Sequence, residues 1–350
     1  MAFAASAVAV EWRSAPVPRR RIPPYAAIVA GASGETRDRV VIALGGNAIA
    51  SKGHTGPEAQ ELAVDRAANQ IAEVVEAGYD VIVTHGNGPQ VGNLLVKNDV
   101  ARKIVPPVPL DWCVAQTQAT LGFLLVTALE AALARRGLTP PVVAVVTRVL
   151  VDERDQAWAM PTKPIGRYLD DHEARVRIDR GEHWRPSGDK GWRRVVPSPV
   201  PLEILDADPV ARLVDEGAVV VAAGGGGIPM VRRRGIPHGV EAVLDKDRTA
   251  ALLAAQLHAG ILVIATDVEA VATGFGTPEQ RWLTRTTPEE LRELTENGQF
   301  ETGSMGPKVE AAMTFVERTG GRAAIAELDR ILEATAGLAG TIVERSVART

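Results

Sequence analysis

Short apolar runs that stop at or next to glycine are the feature that most limits how this 350-residue chain can fold. Three of them are residues 40–44 (VVIAL), 80–84 (DVIVT) and 218–223 (AVVVAA), and further strands are predicted at 142–147 and 261–265. A run without polar alternation is typical of a parallel strand that is buried on both faces. Helical patterns alternate with these strands, over residues 57–77, 111–136, 247–259 and 308–318. The alternation predicts a mainly parallel sheet with helices on both faces.

Two segments depart from this alternation. Residues 1–38 are rich in Ala, Pro and Arg and show little periodicity, which predicts a disordered N-terminal extension, with a transit peptide or an over-long start as alternatives. Residues 148–198 are rich in Pro, Arg, Trp and Asp. Because long structureless connectors are rare, we expect an inserted lid or protruding subdomain there. Residues 39–350 are otherwise predicted to form a single domain.

Composition excludes several classes of protein. The formal net charge of −4 gives no electrostatic reason to expect nucleic acid as a partner. A lone cysteine, Cys113, excludes a disulfide framework and multi-cysteine zinc sites, and its apolar surroundings favour a core position. No apolar stretch is expected to reach the roughly eighteen residues of a membrane span. A cytoplasmic protein without a membrane partner is therefore expected.

Glycine-rich loops follow three predicted strands, in the place where ligands bind in open α/β sheets. They are Gly45-Gly46-Asn47, Gly86-Asn87-Gly88 and Gly224 to Gly227. Exposed backbone N–H groups in such loops form concave sites for anions. Any one loop alone is better explained as a plain turn, but three together favour a phosphate or another oxyanion.

Two common phosphate motifs are absent. The sequence contains no G-x-x-x-x-G-K-[ST] motif, which excludes a Walker-type NTPase. The dinucleotide fingerprint fails at residues 86–91, because Val91 stands in place of the third glycine and Pro89 lies in the turn. The phosphate chemistry must therefore be of another kind.

Lysine is scarce in this chain, with seven Lys against 32 Arg, so each lysine position is informative. Lys246 stands between Asp245 and Asp247 at a predicted helix start, and Lys308 follows Gly306-Pro307 at another. A cation in the first turn of a helix is unfavourable, by roughly 0.3–1 kcal/mol, unless an anion binds there. The alternative for either lysine is an exposed side chain paired with a nearby acid.

Lys163 lies between two prolines, in Pro161-Thr162-Lys163-Pro164, within the irregular segment. Proline on both sides stiffens the backbone and fixes the direction of the ammonium group. A rigidly presented cation suits the stabilisation of transition-state charge, although a plain surface turn explains the pattern equally well.

The remaining polar candidates are weaker. Thr266 and Asp267 lie just past a predicted strand, where the acid would contact a nucleotide or a lysine, or would cap a turn. His85 also follows a strand and is interpreted as a packing or hydrogen-bonding residue rather than a base. The other histidines show no metal-ligand spacing with acids, so no protein metal site is predicted.

Nine segments in order along the chain resemble the carbamate kinases, members of the amino-acid-kinase superfamily. They are VVIALGGNA (40–48), VTHGNGPQVG (83–92), PLD (109–111), PTKPIG (161–166), GWRRVVPSP (191–199), AAGGGGIP (222–229), GVEAVLDKD (239–247), ATDV (265–268) and GSMGPKVEAA (303–312). The resemblance implies a three-layer αβα sandwich with an open, mainly parallel sheet of about eight strands, a protruding subdomain and a homodimer.

The resemblance also implies an activity, the reversible reaction ATP + carbamate = ADP + carbamoyl phosphate with Mg²⁺, used to make ATP. Mg²⁺ would bind mainly through phosphate oxygens and water. The catalytic residues implied are Lys163, Lys246, Lys308, Asp245 and Asp247. Those implied for carbamate and the phosphoryl group are Gly45, Gly46, Asn47, Gly86, Asn87 and Gly88, and those for the nucleotide are Gly225, Gly226, Gly227, Thr266, Asp267, Met305 and Gly306.

Some positions depart from the family pattern. Ala119 follows Thr117-Gln118 where the family commonly has Gly, and Ala272 and Gly274 replace a Tyr and an Asn beside the implied adenine site. These changes bear on nucleotide preference rather than on phosphoryl transfer.

Two rival functions are considered. The first is a kinase of larger carboxylates such as N-acyl amino acids, but those relatives carry a Lys before the first glycine pair, where this chain has Ala43-Leu44. The second is a catalytically silent nucleotide-binding protein, which the retained lysines argue against.

Overall fold

The computed structural model describes residues 38–46, 56–300 and 305–345. Its strands are β1 (Arg39–Leu44), β2 (Asp80–His85), β3 (Val142–Ala144), β4 (Arg148–Val151), β5 (Lys163–Leu169), β6 (Trp184–Pro186), β7 (Trp192–Val196), β8 (Pro201–Ile204), β9 (Val219–Val221), β10 (Ile228–Arg233), β11 (Ile236–Gly239), β12 (Ile261–Thr266), β13 (Val271–Thr273), β14 (Arg281–Leu283), β15 (Arg285–Thr286), β16 (Arg322–Glu327) and β17 (Thr341–Val343). Its α-helices are α1 (Pro57–Glu76), α2 (Gly88–Ala101), α3 (Leu110–Arg135), α4 (Asp171–Ile178), α5 (Ala207–Asp215), α6 (Lys246–Gln256), α7 (Pro288–Glu296), α8 (Met305–Thr319) and α9 (Ile331–Thr335). Short 3₁₀ turns occur at Gln156–Trp158, Gly224–Gly226 and Leu328–Arg330.

Among the described residues, eight strands form the central sheet, in the order β15-β17-β16-β12-β1-β2-β9-β3. Every neighbouring pair is parallel except β16 with β17. The strand β1 lies near the middle, and its residues Val40 to Leu44 are fully buried. This burial explains why β1 is apolar without alternation.

The sheet is covered on both faces, because alternate side chains of β1 enter two different cores. Val40, Ile42 and Leu44 pack with residues of α1, α3 and α9. Val41 and Ala43 pack with residues of α5, α6 and α8. Successive side chains of a strand point to opposite faces of the sheet, so β1 contributes to both cores, one on each side. The predicted three-layer αβα sandwich with a mainly parallel eight-stranded sheet is confirmed.

The segment 148–198 contains β4 to β7 and α4. Strands β5, β7 and β6 form a separate three-stranded antiparallel sheet, and β4 joins a four-stranded sheet of order β11-β10-β4-β8. The sequence pattern missed these strands because β6 and β7 are short, while β5 contains Pro164 and Gly166 and has only two buried residues. The division into a main domain and an inserted subdomain stays a prediction, and the predicted extension lies outside the described residues except for Asp38.

Helix α3 is long and apolar enough, by length and composition, to cross a membrane, which the sequence did not lead us to expect. Its residues Leu121, Leu125 and Leu129 are fully buried in the core against the sheet. A core helix of a folded domain meets the same criterion, and this packing explains the hydrophobicity of one face.

Candidate active site

The carboxyl ends of three adjacent strands, β12, β1 and β2, open into one cavity of about 300 Å³. Loops after these strands supply much of its wall: Gly45, Gly46, Gly86, Asn87, Gly88, Thr266 and Asp267 all line it. The strand order thus brings together residues that are more than 200 positions apart in sequence. Asn47, which was predicted with them, lies outside the described residues.

The two glycine loops after β1 and β2 fit closely beside neighbouring backbone. The Gly45 N–H donates to the Ala265 carbonyl at 3.1 Å, and a Cβ at Gly45 would lie 2.9 Å from that oxygen. Gly88 begins α2, with Asn87 as the residue before the helix. The positive end of the α2 dipole therefore lies at the cavity and favours an anion there.

Lys163 begins β5 and extends into the cavity, where its Nζ lies 2.7 Å from Asp245 Oδ2. Asp245 caps α6, because its Oδ1 accepts hydrogen bonds from the backbone N–H groups of Asp247 and Arg248. Burial acts to raise the pKa of Asp245, but the Lys163 ammonium more than offsets this and lowers it to about 2. The carboxylate therefore stays ionised and holds Lys163 in place.

Asp247 holds the other two lysines. Lys246 Nζ lies 2.5 Å from its Oδ1, and Lys308 Nζ lies 3.0 Å from its Oδ2. Burial raises the pKa of Asp247, and the two ammonium groups outweigh that effect and keep it below its usual range. Burial lowers the pKa of Lys246 despite the nearby Asp247 carboxylate.

The three lysines and two aspartates line the same cavity and carry a net positive charge. The two aspartates are also joined directly, because the backbone N–H of Asp247 donates a hydrogen bond to Asp245 Oδ1 at 3.0 Å. The arrangement is prepared for an anion that can replace the carboxylates as partner of the ammonium groups. Lys308 reaches it from α8, which already includes Met305, three residues before the start that the sequence pattern predicted.

His85, the last residue of β2, is buried, and its Nδ1 lies 2.9 Å from the Gly86 carbonyl oxygen. Burial lowers the pKa of His85 to about 4, and the Lys246 ammonium adds to this. The imidazole is therefore neutral near pH 7, and the Nδ1–H donates to Gly86. It orders the loop as a hydrogen-bonding residue.

Of the glycines after β9, one lines the cavity and two pack against neighbouring residues. Gly225 lines the cavity, and the left-handed backbone at this residue (φ +67°) leaves no room for a side chain, because a Cβ would lie 2.0 Å from Asn87 Nδ2. Gly226 and Gly227 do not line it and instead pack against Leu244 and Val149. The three were predicted together as nucleotide contacts, and the structure brings only Gly225 to the cavity.

A second cavity of about 360 Å³ adjoins the first, and Thr266 and Asp267 line both. Its other lining residues include Ala272, Gly274, Phe275, Phe300 and Met305. Gly306 lines neither cavity. The first cavity contains the lysines and aspartates, and the second combines apolar and aromatic side chains with a few polar ones.

Several buried polar residues at the site escaped the sequence reasoning. Gln118 exchanges hydrogen bonds with the backbone of Thr147, at 2.8 and 3.1 Å, and the Thr147 hydroxyl accepts the Ala223 N–H. The Thr249 hydroxyl lies 3.1 Å from the Gly226 carbonyl oxygen. Together they fix the glycine loop after β9. The sequence contains one indication of this role, because Thr117 and Gln118 interrupt an apolar stretch of helix α3. Polar side chains that are buried in such a helix need hydrogen-bond partners.

The amino acid kinase family model matches residues 38–327. The carbamate kinase of Thermococcus kodakarensis is 44% identical over 313 residues, which are 88% of this chain and 99% of that protein. The carbamate kinase of Pyrococcus furiosus is 43% identical over 310 residues, or 87% of this chain and 98% of that protein. Among solved structures, the carbamate kinase of Giardia lamblia bound to AMP-PNP superposes with a TM-score of 0.83 and 38% identity, over 88% of this chain and 99% of that one.

These matches extend over nearly the whole length of each relative and confirm the resemblance that the motifs carry. The family model alone matches residues 38–327, a range that includes all three glycine loops and Lys163 of this chain. The chain therefore belongs to the amino acid kinase family and, within it, to the carbamate kinases.

Proposed function

We propose that this protein is an enzyme that catalyses ATP + carbamate = ADP + carbamoyl phosphate, reversibly. The observation that carries the proposal is the convergence of Lys163, Lys246 and Lys308, through Asp245 and Asp247, on one cavity lined by glycine loops. Relatives at 43–44% identity that are named carbamate kinases support the choice of substrate. The direction that makes ATP is part of the proposal.

In that direction the bond between phosphorus and the carbamate oxygen breaks, and a bond forms between phosphorus and a β-phosphate oxygen of ADP. The leaving carbamate departs as an anion, and the attacking phosphate oxygen is already ionised. No proton has to be transferred, so no general base is needed. The enzyme has to align the reactants and neutralise charge, which is what phosphoryl transfer mainly requires.

The lysines supply the charge neutralisation. Lys163 contacts the transferring phosphoryl group from β5, while Lys246 and Lys308 hold it together with the nucleotide phosphates. Asp245 and Asp247 position the three ammonium groups before the substrates bind. The backbone N–H groups of the loops after β1 and β2, together with Asn87, hold the carbamoyl group.

The residues before the first glycine pair argue against larger carboxylate substrates. Ala43 and Leu44 are fully buried strand residues that face the two cores, so no cation reaches the cavity from there. Lys163 supplies a cation from β5 instead. A cavity of about 300 Å³ that also receives three lysine side chains suits a small anion.

The adenosine group of the nucleotide occupies the second cavity, and its phosphates reach past Thr266 and Asp267 into the first. Ala272 and Gly274 contribute little side-chain bulk to the wall of that cavity, and Phe275 and Phe300 supply aromatic surface to it. This assignment accounts for the predicted contacts at Thr266, Asp267 and Met305.

Mg²⁺ accompanies the nucleotide. Within residues 38–46, 56–300 and 305–345, no group of three or more His, Cys, Asp or Glu is placed to hold a metal ion. Asp245 and Asp247 are occupied by lysines, and Asp267 is the acid at the junction of the cavities. This donor set fits an ion that phosphate oxygens and water would carry, and Asp267, which lines both cavities, would face its hydration shell. When bound, Mg²⁺ neutralises charge on the phosphates.

We also propose that the enzyme forms a homodimer, and that the outer face of α3 is the interface. Trp112 and Phe123 are 60% and 66% exposed and lie three helical turns apart on one side of the helix. Val146, 54% exposed, follows the edge strand β3 beside it. Large apolar side chains grouped on a surface favour a second copy as partner. The cytoplasmic location stays a prediction.

The test is ATP formation from carbamoyl phosphate, ADP and Mg²⁺, measured by a coupled assay with the full-length chain and with a chain lacking residues 1–36. We expect turnover from both. Phosphorylation of N-acetylglutamate by ATP in place of this reaction would contradict the proposal in favour of the larger carboxylates. ADP binding without any turnover would contradict it in favour of a silent nucleotide-binding protein.

A further inference from the structure

The side chain of Asn87 is held in one orientation by a buried threonine. Asn87 Nδ2 donates a hydrogen bond to Thr117 Oγ1 at 2.9 Å, and Thr117 Oγ1 donates to the Val114 carbonyl oxygen at 2.7 Å. Asn87 and Thr117 are only 3% and 2% exposed. These contacts join the loop after β2 to the second turn of α3.

The single hydrogen of the Thr117 hydroxyl decides which end of the Asn87 carboxamide faces Thr117. A threonine hydroxyl has a single hydrogen, and here the Val114 carbonyl receives it. Thr117 Oγ1 can then only accept from Asn87, so the NH₂ group must face it. The carboxamide oxygen Oδ1 is thereby turned away from Thr117, and the usual ambiguity of an amide orientation is removed.

The carboxamide also lies against the cavity wall. A Cβ on Gly225 would come within 2.0 Å of Asn87 Nδ2 and 2.8 Å of Oδ1. Asn87 and Gly225 both line the cavity that holds the three lysines. Because Gly225 has no side chain, the Asn87 carboxamide packs directly against the Gly225 backbone, in the wall of this cavity.

The rest of this cavity consists largely of hydrogen-bond donors. The lysines have no acceptor atoms, and the glycine loops offer backbone N–H groups. The Asp245 and Asp247 carboxylates are engaged by the lysines. A carbamoyl group, however, carries an NH₂ with two hydrogens that need acceptors. Thr266 and Asp267 also carry acceptor oxygens, but they lie where this cavity meets the second one, which is assigned to the nucleotide. Asn87 offers a neutral acceptor of fixed orientation that lines the first cavity and not the second.

We propose that Asn87 is a specificity-determining residue whose Oδ1 accepts a hydrogen bond from the substrate NH₂, and that Thr117 is the positioning residue that orients it. The inference rests on the proposed function and extends it by assigning the group that recognises nitrogen. Acetyl phosphate has nearly the same shape but carries a methyl group in place of NH₂. With it, Oδ1 is left without a partner, which lowers reactivity by about 10- to 100-fold.

The experiment compares kcat/KM for carbamoyl phosphate and acetyl phosphate, with ADP and Mg²⁺, in the wild-type enzyme, Thr117→Val and Thr117→Ser. Valine keeps the shape but cannot accept from Asn87, so the amide is free to turn. We expect the preference for carbamoyl phosphate to fall at least tenfold in Thr117→Val, with the KM for ADP unchanged. We expect Thr117→Ser to keep the wild-type preference because it restores the acceptor.

Thr295→Val is the matched control, since Thr295 is a helical threonine whose hydroxyl donates to the Leu291 carbonyl, away from both cavities. It should leave the preference unchanged. An unchanged preference in Thr117→Val, or an equal loss with both substrates, would overturn the inference. If Thr117→Val does not fold, Thr117→Ala removes the same acceptor and is judged by the same outcomes. A wild-type enzyme inactive with carbamoyl phosphate would refute the proposed function itself.

Discussion

Lys163 and Asp245 form a salt bridge that joins the small sheet β5-β7-β6 to the N-terminal cap of α6. The two residues are 82 positions apart, their charged atoms lie 2.7 Å apart, and the Asp245 side chain is 13% exposed. The same carboxylate caps the helix that carries Lys246. A cation from one sheet and a cation from the main fold are thus positioned by one residue before any substrate binds, which is the condition for electrostatic preorganisation.

Lys163→Arg is expected to lower kcat by at least 100-fold while leaving ADP binding nearly intact. A planar guanidinium on a different stem cannot place one compact charge at the ammonium position, 2.7 Å from Asp245. Lys190→Arg is the matched control in the same segment, since Lys190 lies outside the cavity, 5.9 Å from the Tyr168 ring centroid. Steady-state kinetics and calorimetric titration with ADP provide the measurement. Wild-type kcat in Lys163→Arg would remove Lys163 from the mechanism.

The parts of this site that follow from local rules could be predicted from the sequence. Glycines at the carboxyl ends of parallel strands predict a ligand site there. Asp245 precedes a predicted helix, and aspartate is a preferred residue type for capping the start of a helix. The eight-stranded sheet was expected for similar reasons. Lys163, Lys246 and Lys308 were expected to converge, through the resemblance to known enzymes.

Contacts between distant segments were not accessible in the same way. Which aspartate holds which lysine depends on side-chain directions that sequence spacing does not encode. The pairing of Gln118 with the Thr147 backbone joins α3 to the loop before β4. Gly226 and Gly227 look identical to Gly225 in sequence, and their separation from the cavity follows from the turn they form after β9. Such contacts are tertiary, so propensity and periodicity carry no information about them.

His85→Asn is expected to flatten the dependence of folding stability on acidic pH. The pKa of His85 is about 4 in the folded protein because of burial, against about 6.5 when unfolded. As the pH falls, the unfolded chain binds a proton at a higher pH than the folded protein does. The contribution of the neutral imidazole to the free energy of unfolding is therefore fully present above pH 6.5 and is lost as the pH falls to 4. The full loss is about 3 kcal/mol.

Asparagine can donate to the Gly86 carbonyl without titrating, so the variant should lack this loss. Urea denaturation at intervals between pH 7.5 and pH 4.5 measures it, with the wild-type curve as reference for the carboxylates that titrate in the same range. Parallel curves for the two proteins would contradict the assignment of a neutral, buried His85.

Gly225→Ala is expected to reduce kcat/KM for carbamoyl phosphate by more than 100-fold. The added Cβ would lie 2.0 Å from Asn87 Nδ2, so the carboxamide must move out of position. Gly137→Ala is the control, because Gly137 also has a left-handed backbone (φ +73°) but open space around it. Both variants lose about 1–2 kcal/mol of stability from backbone strain. Equal activities would show that the position of the Asn87 side chain does not matter.

Phe123→Glu is expected to convert the proposed homodimer to a monomer. A charge at the centre of an apolar contact costs more than the contact contributes, and Phe123 is 66% exposed on the outer face of α3. Leu338→Glu, at a residue that is 75% exposed elsewhere, should leave the dimer intact. Light scattering coupled to size-exclusion chromatography gives the mass directly. A wild-type protein that is already monomeric, or a Phe123→Glu protein that remains dimeric, would contradict the proposed interface.

Phe275→Ala is expected to raise the KM for ADP about tenfold and to leave the KM for carbamoyl phosphate unchanged. Phe275 lines the second cavity and is 61% exposed, so its ring is available to cover a nucleotide base that enters there. Stacking of a base on an aromatic ring contributes about 1–3 kcal/mol, which matches a change of this size. Trp282→Ala is the control, because Trp282 is also partly exposed but does not line the cavity. If the carbamoyl phosphate KM rises instead, the two cavities have been assigned to the wrong substrates, because only the first contains the lysines that neutralise a phosphoryl group.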